Sequence, residues 1–115
     1  MPKKEKRKHA RINSLNLSYI CLDENNKIVK QGMGRTLNLS ESGILLETHF
    51  PIESNHLVLL TLGLEEEILD IKGKPVHIRS FEKGLHEIGI QFLDCDKTKN
   101  ETLKKFIKAF KKSKA

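Results

Sequence analysis

Leu37-Asn38-Leu39-Ser40-Glu41-Ser42-Gly43-Ile44-Leu45-Leu46-Glu47-Thr48 is the stretch whose reading decides the fold. A short polar segment ending in glycine stands between two apolar runs, the pattern of a tight turn joining two strands. Three of its residues also carry recognition chemistry. The Asn38 amide and the Ser40 hydroxyl, at a strand end, bond either a ligand edge or their own backbone. Gly43 permits positive φ or the close approach of a ligand.

Outward from this turn the chain reads as short strands. From Ser14 onward, Leu15, Leu17, Tyr19 and Cys21 alternate with Asn16, Ser18, Ile20 and Leu22, a period-2 signal. Asp23 to Lys27 is a turn and Ile28 to Gln31 begins the return strand. Gly32 and Gly34, flanking Met33, predict a bulge or bend before Arg35 to Leu39. Gly43 opens a third strand, Pro51 to Asn55 breaks the pattern, and Leu57 to Leu64 is β-prone. Glu65-Glu66-Glu67 reads as a solvated turn. Ile68 to Arg79 alternates loosely, with Gly73 and Pro75 predicting a bulged or edge position. Ile88, Ile90 and Phe92 alternate with Gly89, Gln91 and Leu93 in a last strand. Six or seven short strands at near-regular spacing give an antiparallel barrel or sandwich.

Only the C-terminus is helical in pattern. Leu103, Phe106, Ile107 and Phe110 recur at i, i+3, i+4 and i+7, with Lys104, Lys105, Lys108, Lys111 and Lys112 opposite. Asp96 or Thr98 suits the N-cap. The apolar stripe is read as packing on the barrel, in preference to a membrane-surface or partner-binding helix.

Composition narrows the function classes. The chain has 115 residues, enough for one domain and one core. It contains no Trp and one Tyr, which argues against a base-stacking platform for nucleic acid. No apolar run approaches the roughly 18 residues of a transmembrane helix, and no apolar segment follows the basic N-terminus as in a signal peptide. A cytoplasmic location is expected, and there Cys21 and Cys95 read as small buried hydrophobes rather than a disulfide. The net charge of +6 is unevenly spread. Residues 1–11 carry six Lys/Arg and one Glu, and residues 97–115 carry eight Lys and one Glu, leaving an acidic body between basic ends. Residues 1–13 read as a flexible basic arm, 14–96 as the β-barrel and 97–113 as the helix.

Within the arm, Arg7 and Arg11 stand four residues apart in Arg7-Lys8-His9-Ala10-Arg11. Each guanidinium is a planar fork that engages two phosphate oxygens or the N7 and O6 of guanine. Catalytic chemistry has no comparable support. His9, His49, His56, His77 and His86 are scattered without ligand spacing, and no nucleophile motif or Gly-rich phosphate cradle is present. No metal, cofactor or catalytic residue is expected, and the chain is read as a non-enzyme.

The ordered pair R-x-x-x-R and [D/N]-x-S-x-x-G resembles the PilZ domain, the bacterial receptor module for cyclic di-GMP. Ile88-Gly89-Ile90-Gln91-Phe92-Leu93-Asp94 is similar to that family's closing strand, and Glu101 to Ile107 to the start of its C-terminal helix. The resemblance implies a mainly β fold: a six-stranded antiparallel β-barrel with a flexible N-terminal arm and a C-terminal α-helix. It implies that Arg7 and Arg11 clamp guanine and phosphate while Asn38, Ser40 and Gly43 receive a guanine from the barrel side. Asn38 stands where Asp is common and Ser42 where a second glycine is frequent. The expected function is a stand-alone cyclic di-GMP receptor that orders its arm on binding and signals to an unidentified downstream protein. The alternatives are a nucleotide-independent PilZ-like adaptor acting by protein contact, and a small basic β-barrel binding single-stranded nucleic acid.

Overall fold

The computed structural model describes residues 16–64, 66–81, 84–93 and 95–114. They form six strands and a helix: β1 (Asn16–Leu22), β2 (Ile28–Leu39), β3 (Gly43–Thr48), β4 (Leu57–Leu64), β5 (Glu67–Ser80), β6 (His86–Leu93) and α1 (Lys97–Lys114). The strands close into a barrel in the order β1-β2-β3-β6-β5-β4, and every neighbouring pair is antiparallel. The six-stranded barrel and C-terminal helix expected from the sequence are therefore what the chain forms.

Alternation decides which side chains face inward. Leu17, Tyr19 and Cys21 of β1, Ile44 and Leu46 of β3, Val58, Leu60 and Leu62 of β4 and Ile88 and Ile90 of β6 all meet in one apolar core. Cys21 is fully buried and, like Cys95, is a free thiol. Loss of solvation pushes the Cys21 thiol up to about 11.

Two expectations need correction. Gly32 and Gly34 do not mark a bend, because β2 runs unbroken from Ile28 to Leu39. They serve packing instead: a Cβ at Gly32 would come within 3.1 Å of the Tyr19 hydroxyl, whose ring fills that space inside the barrel. The irregularities in β2 lie elsewhere: Val29 is skipped between Cys21↔Lys30 and Leu22↔Ile28 on the β1 side, and Leu37 between Thr36↔Leu46 and Asn38↔Leu45 on the β3 side. In the charged turn, Glu67 is already the first residue of β5, paired with Leu64; Glu65 lies outside the described residues. The bulge expected near Gly73 and Pro75 is present one residue on, where Val76 is skipped between Pro75↔Ile90 and His77↔Gly89. Gly73 is also the last residue of β5 to pair with β4, so beyond it β5 is held by β6 alone.

The antiparallel order sorts the connections between two ends. The turns at 23–27 and 49–56 and the connection between β5 and β6 lie at one end. At the other are the turn 40–42, the connection between β4 and β5, the approach to α1, and the start of β1 at Asn16. The α1 cap is Asp96, whose Oδ1 accepts the Lys99 N–H at 2.8 Å while its carbonyl accepts that of Asn100 at 2.8 Å. This satisfies donors that the first helical turn otherwise leaves orphaned. Leu103, Phe106 and Phe110 join the barrel's apolar core. The pair Lys105–Glu67, at 3.7 Å with both side chains half or more exposed, adds little to that docking.

Helix docking thus rests on apolar burial. Phe106→Ala, at a site with no exposure, should lower unfolding free energy by about 3–5 kcal/mol, measured by denaturant titration. A loss under about 1 kcal/mol would mean that α1 is not part of the core.

Candidate functional site

A regular strand would point Asn38 into the barrel. Gly34 and Thr36 lie on the inner side of β2 and Arg35 on the outer, so the two-residue period assigns position 38 to the interior. The extra residue Leu37 reverses this. Asn38 emerges exposed, and Leu39 returns to the core opposite Ile44. The Asn38 Oδ1 accepts the Leu39 N–H at 3.0 Å, which fixes the amide at the strand end.

Ser40 then opens the turn. Its N–H donates to the Gly43 carbonyl at 2.9 Å, its hydroxyl donates to the same carbonyl at 3.3 Å, and Ser42 Oγ lies 3.3 Å from Ser40 Oγ. The Ser42 carbonyl accepts the Phe92 N–H at 2.9 Å, so the turn is tied to β6 as well. Glu41 leans the other way, accepting from Asn100 Nδ2 of α1 at 3.5 Å.

Gly43 has a structural reason of its own. It pairs with Gln91, and a Cβ there would run into the Ile90 carbonyl oxygen. Its φ is not positive. The close approach anticipated for a ligand is made by the backbone of β6.

Asn38, Ser40 and Gly43 line one cleft of about 440 Å³ on the outer face of the barrel. The cleft crosses four strands, from Asn38 on β2 over Leu45 on β3 and Gly89 on β6 to Val76 on β5. Two bulges bound it, Leu37 on one side and Val76 on the other. Gly89 between them carries no side chain, which leaves the floor low. Sequence reasoning missed Leu45, Val76, Gly89 and Gln91 as lining residues. The signal available was the outward phase of β6, where Gly89 and Gln91 alternate with buried Ile88 and Ile90.

The described lining is neutral and mixed in polarity. Asn38, Ser40, Ser42 and Gln91 supply amides and hydroxyls beside the aliphatic Ile44, Leu45, Val76 and Ile90, and among the described residues no charged side chain lines the cleft. The nearby Arg35 already pairs with Glu47 at 3.9 Å. Such a surface offers donors and acceptors beside apolar area, and its described residues supply no countercharge for an anion. Among the described residues, Ser40 Oγ has only Ser42 Oγ and the Gly43 carbonyl as hydrogen-bond partners, and neither is a base that could activate it. Among the described residues no group of three or more His, Cys, Asp or Glu can hold a metal, and no helix is long and apolar enough to cross a membrane. Arg7 and Arg11, with the arm expected over residues 1–13, lie outside the described residues.

Comparison with known proteins gives a consistent family. The family model for the PilZ domain matches residues 5–109. Among solved structures, the chain is similar to the PilZ domain with c-di-GMP of YcgR from Escherichia coli. The TM-score is 0.64 with 11% identity, over 86% of this chain and 84% of that one. It is also similar to the PilZ domain of CeSA from a cellulose-synthesizing bacterium, with a TM-score of 0.56 and 15% identity over 84% of this chain and 93% of that one. The search of curated proteins finds no match.

The packing at Gly43 yields a test of the turn itself. Gly43→Ala should force β3 away from β6 and cost about 1–3 kcal/mol of stability, read from denaturant unfolding. Ser42→Gly, at an exposed position, should stay within about 1 kcal/mol of the parent. Equal stability for all three proteins would refute the backbone contact.

Proposed function

The chain belongs to the PilZ domain family, and on that premise we propose that it is a receptor for cyclic di-GMP, with the cleft beside the 40–43 turn as its guanine site. The observation that carries the reading is the Leu37 bulge, which turns Asn38 out to join Ser40 and Gly43 in one cleft. In this role the Asn38 amide and the Ser40 hydroxyl meet the polar edge of a guanine. Asn38 offers a neutral amide where a carboxylate would bond N1–H and N2–H more strongly, so its contribution is the modest one of an uncharged bond.

The phosphates need cations, and the described residues of the cleft supply none. Arg7 and Arg11 are the proposed source. β1 enters the barrel at the end that carries the turn, with Leu17 beside Gly34. Asn38 lies about 13 Å further along β2 at ~3.3 Å per residue. Six extended residues from Leu17 back to Arg11 span up to about 20 Å, and ten back to Arg7 about 33 Å. Both forks are therefore within reach of a ligand in the cleft. Charge-assisted bidentate bonds made only with ligand present would order the arm, and the changed surface would signal to a downstream protein. The protein acts in this account by binding and not by catalysis.

Isothermal titration calorimetry with cyclic di-GMP should give saturable heat. Arg7→Ala and Arg11→Ala should each weaken binding by roughly 10–100-fold, the value of a lost hydrogen bond to a charged group, and Asn38→Ala by less. Absence of heat at high micromolar ligand would overturn the receptor reading. Unchanged affinity in both arginine variants would overturn the clamp.

A further inference from the structure

The helix α1 has a second face that the barrel does not use. Leu103, Phe106 and Phe110 are buried against the core, so the opposite side of α1 is presented outward and the helix cannot roll. Between Lys104 and Lys112 that side carries five lysines and no carboxylate, all five exposed. Lys104, Lys108 and Lys111 fall at i, i+4 and i+7, and Lys105, Lys108 and Lys112 at i, i+3 and i+7, which gathers them in one stripe. Among the described residues, only Lys105 has an ion-pair partner, Glu67. Four like charges thus stand within about 12 Å of helix without neutralisation, an arrangement that costs repulsion and that an external anion relieves.

Beside the stripe lies an open trough of about 670 Å³ lined, among the described residues, by Lys105, Lys108, Ala109, Lys111 and Lys112. The aliphatic stems make the trough apolar inside and cationic at the rim. That combination fits an amphiphile with an anionic head. Nucleic acid fits it less well, since the stripe has neither an aromatic side chain to stack a base nor an arginine fork.

We propose that this face of α1 docks the protein on an anionic phospholipid surface. The helix lies flat with its lysine stripe toward the headgroups and its apolar stripe still on the barrel. Binding is peripheral and electrostatic, since the apolar residues that would insert are committed to the core. The docking is independent of the nucleotide cleft.

Cosedimentation of the full chain with phosphatidylcholine vesicles containing about 30 mol% phosphatidylglycerol, at roughly 0.1 M salt, tests this. Binding should be clear there, absent on pure phosphatidylcholine, and lost as salt rises. Each lysine near an anionic surface contributes roughly fivefold, so combined K104Q, K108Q, K111Q and K112Q should lower partitioning by two orders of magnitude or more. These positions are exposed, and circular dichroism should show an unchanged fold. A second variant neutralising Lys3, Lys4, Lys6 and Lys8 should keep most of the binding. Equal binding to neutral vesicles, retained binding in the helix variant, or loss confined to the N-terminal variant would overturn the proposal. So would tighter binding to a single-stranded oligonucleotide than to vesicles at the same salt.

Discussion

One skipped residue, Leu37, determines the direction of everything that follows it in β2. Without the bulge, Asn38 would face the core and Leu39 the solvent, a polar amide exchanged for a buried leucine. Burial of Leu39 against Ile44 is thus the apolar gain that holds the bulge in place. The same irregularity delivers an amide to the outer surface at the point where the chain must turn. The cleft exists because a second bulge, at Val76, does the equivalent on β5, with the side-chain-free Gly89 between them. Core packing and site geometry are consequences of one register.

Charge is distributed separately from shape. The described residues of the cleft are neutral, while lysine and arginine are concentrated in residues 1–11 and 97–115. Under the proposed function, the fold supplies a pre-shaped surface of mixed polarity and the N-terminal residues supply the countercharge, so ligand binding and arm ordering are one event. The basic helix, capped by Asp96, starts at the same end of the molecule and touches the turn through the Asn100–Glu41 contact. Its apolar side is fixed to the core, and its cationic side faces out.

Much of the fold was legible because alternation and helical period are enforced by burial. Leu17, Tyr19 and Cys21 had to share a face, and Leu103, Phe106 and Phe110 had to share another. Punctuation was less legible. Gly32 and Gly34 look like hinges in the sequence, yet they make room for Tyr19 and for the strand opposite, a demand set by residues distant in the chain. Leu37 carries no mark of a bulge, since any residue can be skipped when its neighbours gain by it. Gly43 reads in the sequence as a position for positive φ or the close approach of a ligand, but its φ is not positive and the group that approaches it is the backbone of β6. Asn38, Ser40 and Gly43 are grouped by the resemblance of their motif, together with the arginine pair upstream, to the PilZ domain. Gly89 and Val76 join them only through pairings across four strands.

Amide chemical shifts in a two-dimensional NMR titration with cyclic di-GMP test the central claim most directly, because they locate binding on the barrel. The account predicts saturable shifts at Asn38 to Gly43 and at Gly89 to Gln91, with β1 and β4 little affected. Shifts confined to the lysine face of α1, or scattered over the surface without saturation, would contradict it.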